Sequence, residues 1–288
     1  MKFKVCYKNY LSIILQIILK KKQASVVLKD GSKHIWEINR VWNLRGYVGS
    51  NFIEKSNLIS CYDGKVSTLE FEYKDFDLRF LDAINNGAIS DVFAHEEYSW
   101  LDPENGFVID IGGNIGDTAI YFALNGAEHV IALEPYPYSY RTAVENIKLN
   151  NLAGKITFIN AGYGKGEITI DEKYKNDGSS LLIQSNNGIK IPLFSLADII
   201  KNYKIADKLL LLKMDCEGCE YNLLNEENDI LRKFKRIEME YHFGYENLKD
   251  KLESAGFIVK YTQPHGGKIS DGKHIKAGYL YASTDNPQ

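Results

Sequence analysis

From residue 107 onward, short and nearly continuous apolar runs alternate with segments of helical spacing. FVIDI (107–111), HVIAL (129–133), ITFIN (156–160), LLLLKMD (209–215) and RIEMEYH (236–242) follow one another, and FIVKY (257–261) and GYLYAS (278–283) close the pattern. Strands separated by helices of about 10 to 15 residues imply βαβ units and a mostly parallel sheet. A run such as LLLL suits a strand covered on both faces. The expected fold is α/β, a doubly wound, mostly parallel seven-stranded sheet of Rossmann-like type.

Upstream the period changes. ASVVLK (24–29) and HIWEI (34–38) flank Asp30-Gly31, a dipeptide that favours a type I′ hairpin turn. LISCY (58–62) and VSTLEFEY (66–73) flank Asp63-Gly64 in the same way, with Thr68, Glu70 and Glu72 alternating against Leu69, Phe71 and Tyr73. Ahead of both, Leu11, Ile14, Leu15, Ile18 and Leu19 recur at i, i+3, i+4, i+7 and i+8, one face of an amphipathic helix. Its nine-residue apolar stretch is far short of the roughly 20 needed to span a bilayer. Lys20, Lys21 and Lys22 follow it where a signal peptide would carry small residues. The expectation is therefore no membrane span, with the helix docked on its own chain or on a second subunit of a homo-oligomer. A basic membrane-surface helix is the alternative. The turn cluster at 102–106 marks the change of pattern. The chain divides into a helix and β-hairpin region, 1–90, and a main domain, 91–288.

The chemistry gathers at strand ends. Asp110-x-Gly112-Gly113-Asn114-x-Gly116 follows the first strand of the main domain and opens a helix. Gly112 allows a tight turn and the close approach of a ligand, and Gly116 sits where free helix N–H groups can meet an anionic group. A dinucleotide site would need Gly-x-Gly-x-x-Gly, which this register lacks. Asp110 suits a cationic ligand and would repel a diphosphate, which favours the aminopropyl ammonium of S-adenosylmethionine over a nicotinamide cofactor. Glu134, at the end of the second strand, is placed to accept hydrogen bonds from ribose hydroxyls. Asn160-Ala161-Gly162, after the third, is placed for the adenine edge. On these grounds Asp110, Gly112, Asn114, Gly116, Glu134 and Ala161 are the expected cofactor residues. The cluster Tyr136, Tyr138 and Tyr140 suits packing as well as stacking near adenine.

DIGGNIGDTAIYFA, ALEPYP, LLKMDCEGCEYNLL and IEMEYH, in that order, resemble the FkbM-type family of class I S-adenosylmethionine-dependent methyltransferases over roughly residues 93 to 260. The resemblance implies an O-methyltransferase acting on a hydroxyl of a sugar, a natural product or another small-molecule or glycan acceptor. Residues before about 90 match none of these motifs.

In the usual methyltransferase strand order Asp110, Asp215 and Glu240 come to adjacent strand ends. Glu238, Glu240 and His242 alternate with Ile237, Met239 and Tyr241, which puts polar groups on a strand that should be apolar. Unpartnered acids cost too much to bury, so Glu240 and His242 are expected to face a polar cavity. His242 is the leading general base, because its ordinary pKa lies near neutrality. Asp215 is the rival, and Glu240 completes the catalytic set. Asp215, Glu217, Glu240 and His242 together offer oxygen-rich ligation to a divalent cation.

Composition narrows the alternatives. A hydrophobic content of 44% and a charged content of 25% allow a sizeable core. The net charge of -3 argues against a general nucleic-acid-binding surface. Four cysteines, Cys6, Cys61, Cys216 and Cys219, are too few for a disulfide scaffold in 288 residues and point to a reducing, cytoplasmic setting. Cys216-x-x-Cys219 has the spacing of a redox pair or half a zinc site, but the Asp-x-Glu-Gly pattern already accounts for that stretch. Two other readings remain in play: a nicotinamide-dependent oxidoreductase, and a non-catalytic binding protein that keeps the fold.

Overall fold

The computed structural model describes residues 7–27, 31, 33–38, 41, 56–62, 65–82, 88–172, 187–266 and 275–285. The chain forms two compact units. One runs to Glu97 and takes in Lys148–Asn150, and the other holds Tyr98–Ile147 and the chain from Asn151 onward.

In the first unit, helix α1 (Tyr10–Ile18) precedes an antiparallel pair, β1 (Gln23–Val27) and β2 (Lys33–Glu37). Val27 lies opposite Lys33, with five residues between the strand ends; the expected turn at Asp30-Gly31 falls among them, and Asp30 lies outside the described residues. A three-stranded antiparallel sheet follows, β3 (Ser56–Tyr62), β4 (Lys65–Tyr73) and β5 (Phe76–Leu81), and then α2 (Ala88–Ala94). Tyr62 pairs with Lys65, which leaves the two residues of the second expected turn, Asp63 and Gly64, between them; both lie outside the described residues. The alternation along β4 buries Leu69, Phe71 and Tyr73, and Phe71, Tyr73 and Phe80 meet Phe93 of α2 with ring centroids 5.1–5.6 Å apart.

The expectation that α1 docks its apolar face on its own chain needs correction. Ile13 is buried, but Leu11, Leu15, Ile18 and Leu19 of the expected docking face are exposed. Polar bonds fix how the helix is turned. The Asn9 side chain donates to the Ser25 carbonyl and accepts from the Val27 N–H, and the Gln16 side-chain Oε1 accepts from the Ser25 N–H.

The second unit is built on a seven-stranded sheet. Its strands are β6 (Phe107–Ile111), β7 (His129–Leu133), β8 (Ile156–Ile159), β12 (Leu210–Met214), β13 (Phe234–Tyr241), β14 (Ile258–Tyr261) and β15 (Gly278–Ser283), in the order β14-β15-β13-β12-β6-β7-β8. The strands from β13 to β8 run parallel, and β15 is antiparallel to β13 and β14. This is the expected α/β architecture, with β6, β12 and β13 as neighbours. Helices α3 (Asp117–Leu124), α4 (Pro137–Leu149), α5 (Leu196–Tyr203), α6 (Asn228–Leu231) and α7 (Glu246–Ser254) connect them. All five residues of β12 are buried, as a central strand covered on both faces requires.

A small side sheet was not among the predicted elements: β9 (Gly162–Tyr163), β10 (Gly166–Ile170) and β11 (Ile189–Phe194), in the order β10-β11-β9. Pro192 in β11 weakens the strand signal. Ile168, Ile170 and Ile191 nevertheless bury against Tyr136, which makes Tyr136 a packing residue.

Candidate functional site

Strand register brings the charges together. Lys213 on β12 stands beside Asp110 on β6. Both side chains are out of solvent, and the Lys213 ammonium lies 3.0 Å from the Asp110 carboxylate. It also donates to the Gly112 carbonyl at 2.9 Å and lies over the Tyr98 ring. The second oxygen of Asp110 accepts from the Thr118 hydroxyl at 2.6 Å. Asp110 is therefore fully engaged beneath the glycine loop. Burial alone would pull Lys213 down, but Asp110, Asp215 and Asp117 outweigh it and hold the ammonium above the ordinary lysine range.

Gly112 has a reason other than ligand approach. Its φ is +83°, and an added Cβ would lie 1.9 Å from the Asp215 carbonyl oxygen, so the close passage of the two loops requires glycine there. Gly116 caps α3 with φ +86°, and its ideal Cβ would lie 3.3 Å from Ala143 on α4, a close approach of the two helices.

Glu134 is buried and accepts from the N–H groups of Asn114 at 3.0 Å and Tyr136 at 2.9 Å. Burial pushes its pKa up to about 8 against the pull of those bonds and of Lys213. The Asn160 side chain donates to the carbonyls of Glu134 and Pro135, pinning this loop, and Ala161 beside it is wholly buried. Sequence reasoning missed Asp117, the first residue of α3. Its carboxyl is buried, and burial raises its pKa to about 7 despite the attraction of Lys213. Besides Asp110 Oδ1, which faces the Lys213 ammonium, three buried polar atoms near these loops have no hydrogen-bond partner: Asn114 Oδ1, Asp117 Oδ1 and Ser139 Oγ. The signal for Asp117 was its place directly after Gly116, because an acid there enters the sheet-covered face of a helix.

At the ends of β12 and β13 the charges are matched. His242 Nδ1 lies 3.0 Å from Glu220 and its Nε2 lies 3.3 Å from Glu217, while its backbone N–H also donates to Glu220. Burial would lower the imidazole pKa, but the bonds to Glu217 and Glu220 prevail and carry it up to about 11. At neutral pH His242 is thus an imidazolium with both N–H groups committed, and it has no lone pair with which to take a proton. The environment expected of a general base is absent at His242. Asp215 is half-buried, with its carboxylate accepting from the Tyr98 hydroxyl at 3.2 Å. Glu240 is also half-buried on β13.

Among the described residues Asp215, Glu240 and His242 each bring one donor atom within 4.8 Å of the others. Glu217 turns instead to His242. Both ring nitrogens of His242 are held by carboxylates, so the cluster gives no support to the divalent cation that the sequence allowed.

Cys216 and Cys219 are joined in a disulfide, whereas the sequence reading set their redox-pair spacing aside in favour of the Asp-x-Glu-Gly pattern. The turn between them, with φ +56° at Glu217 and +111° at Gly218, brings their Cα atoms to 5.4 Å, within bridging range. Cys6 and the side chain of Cys61 lie outside the described residues.

The family description "Methyltransferase FkbM domain" matches residues 110–266. A curated relative, Methyltransferase 1 of Beauveria bassiana (strain ARSEF 2860), is 24% identical over 189 residues, 56% of this chain and 76% of that protein. Among solved structures, M. capricolum TrmK in complex with S-adenosyl-homocysteine is 15% identical with a TM-score of 0.42, over 68% of this chain and 70% of that one. The Geobacter metallireducens precorrin-6y C5,15-methyltransferase is 14% identical with a TM-score of 0.37, over 66% and 89%.

Proposed function

Because this chain belongs to the FkbM methyltransferase family, we propose that it methylates a hydroxyl of a sugar or other small-molecule or glycan acceptor, with S-adenosylmethionine as donor. The observation that carries the cofactor reading is the charge balance below the glycine loop. One ammonium, Lys213, lies among four acid groups, Asp110, Asp117, Asp215 and Glu134. Burial leaves Asp117 and Glu134 holding protons near neutral pH, and a cationic ligand that displaces them is favoured over a diphosphate, which disfavours a nicotinamide cofactor. The unpartnered Asn114 Oδ1, Asp117 Oδ1 and Ser139 Oγ fit a ligand rich in hydroxyl and ammonium donors. Glu134 would take the ribose hydroxyls and Asp117 the ammonium, while Asp110 holds Lys213 and the loop in place. Bound, the cofactor supplies a methyl group already activated on a sulfonium.

The chain's own task is then to align the acceptor and remove its proton. Asp215, half-buried and oriented by Tyr98, is the base in this proposal. The imidazolium of His242 sets the positions of Glu217 and Glu220, and Glu240 lines the acceptor side. Asp215→Asn should lower kcat by about 10²–10⁴-fold with S-adenosylhomocysteine affinity nearly unchanged. Turnover of labelled S-adenosylmethionine on a panel of hydroxyl acceptors measures the first, and isothermal titration the second. Full activity in Asp215→Asn would leave proton loss to water and alignment as the main contribution.

A further inference from the structure

The helix α1 presents an apolar face that its own unit does not cover. Leu11 is 67% exposed, Leu15 56%, Ile18 69% and Leu19 59%, while Ile13 on the opposite side is buried. Positions 11, 15, 18 and 19 are one helical face. Its orientation is set by the Asn9 and Gln16 bonds to β1, so the four aliphatics cannot simply roll inward. Lys8 stands before the helix and Lys20, Lys21 and Lys22 after it, all exposed, and residues 8–22 contain no acid.

We propose that this face docks on an anionic lipid membrane, lying in the interface without crossing it. Exposed aliphatics rimmed by lysines are the pattern of an interfacial helix: the side chains enter the acyl boundary and the ammonium groups meet lipid phosphates. No helix among the described residues is long and apolar enough to cross a membrane. A second copy of the same segment is the poorer occupant. It would bring four lysines from each copy, eight in all, with no acid in either segment to neutralise them, whereas an anionic surface neutralises every one.

Flotation of the full chain with vesicles tests this. The chain should float with phosphatidylcholine–phosphatidylglycerol vesicles at low salt, bind much less at high salt, and stay behind with phosphatidylcholine alone. Reversing the three lysines together (Lys20→Glu, Lys21→Glu, Lys22→Glu) should weaken binding by about a hundredfold, about fivefold for each. The pair Leu15→Glu and Ile18→Glu should weaken it by about tenfold or more. These side chains are exposed, so circular dichroism melts should match the parent chain and separate lost binding from lost folding. Failure of the parent chain to bind anionic vesicles would overturn the proposal, as would binding that neither variant changes. A concentration-dependent dimer that Leu15→Glu and Ile18→Glu abolish, with no vesicle binding, would assign the face to a second copy and overturn it as well.

Discussion

The two halves of the strand-end rim handle buried charge in opposite ways. On the β6–β7 side, Asp117 and Glu134 are buried with their pKa values raised to about 7 and about 8, and several polar atoms there are unpartnered. On the β12–β13 side, His242 is matched by Glu217 and Glu220 and Asp215 by Tyr98. Burying a charge is tolerable when it is paired and costly when it is not. The first half thus keeps its acids buried by holding their protons, which an added cation would displace, while in the second one imidazolium is shared between two carboxylates. Lys213 sits between them and serves both.

The sharpest way to break this comparison is to remove its hinge. Lys213→Met leaves Asp110 buried without its counter-charge and should cost about 3–5 kcal/mol of stability, read as a lowered midpoint in denaturant unfolding. The pair Lys213→Met with Asp110→Asn should recover part of that loss, because no lone charge then stays buried. A Lys213→Met protein as stable as the parent would show that the ion pair is not what holds the two loops.

Next in size is a contrast between the halves. His242→Ala strands Glu220 without its counter-charge and should lower stability by about 3 kcal/mol or more, with cofactor affinity nearly intact once the protein is folded. Glu134→Ala should do the reverse, weakening S-adenosylhomocysteine binding by about 1–3 kcal/mol with a smaller change in melting. Titration calorimetry beside thermal melts reads both, and equal profiles for the two variants would erase the distinction.

The smallest effect is on pH. Asp117 and Glu134 are carboxyls with raised pKa values, so between about pH 4 and about pH 8 the folded chain holds protons that an unfolded chain has released. Their contribution to stability is full below the unfolded values, 3.8 and 4.5, and is lost as pH rises through about 7 and about 8. A bound cation favours the ionised carboxylates and expels those protons. S-adenosylmethionine affinity should therefore rise across the same interval, by at most about tenfold per pH unit for each proton. Calorimetry in buffers of different ionisation enthalpy counts the protons, and a flat profile would place the ligand away from these two acids.

Hydrophobic period carried the fold class. Runs such as FVIDI and LLLL, spaced by helical segments, suit a covered parallel sheet, while the order of its strands came from the family resemblance. The strand-end positions of Asp110, Glu134, Asp215 and His242 were legible for the same reason, since a strand's end is a local property. What each of those groups does was not. The partners of His242 are Glu217 and Glu220, more than 20 residues earlier in the chain, and only the turn at 217–218 and the register of β12 with β13 bring them to opposite sides of its ring. The pairing of Lys213 with Asp110 spans about a hundred residues. The need for glycine at 112 comes from a carbonyl at 215. The exposure of Leu11, Leu15, Ile18 and Leu19 was likewise undetermined, because an amphipathic period states that a helix has two faces and leaves to tertiary contacts which face meets protein. Protonation, contact and exposure depend on what surrounds a side chain in space, and for these residues the surroundings are assembled from distant parts of the sequence.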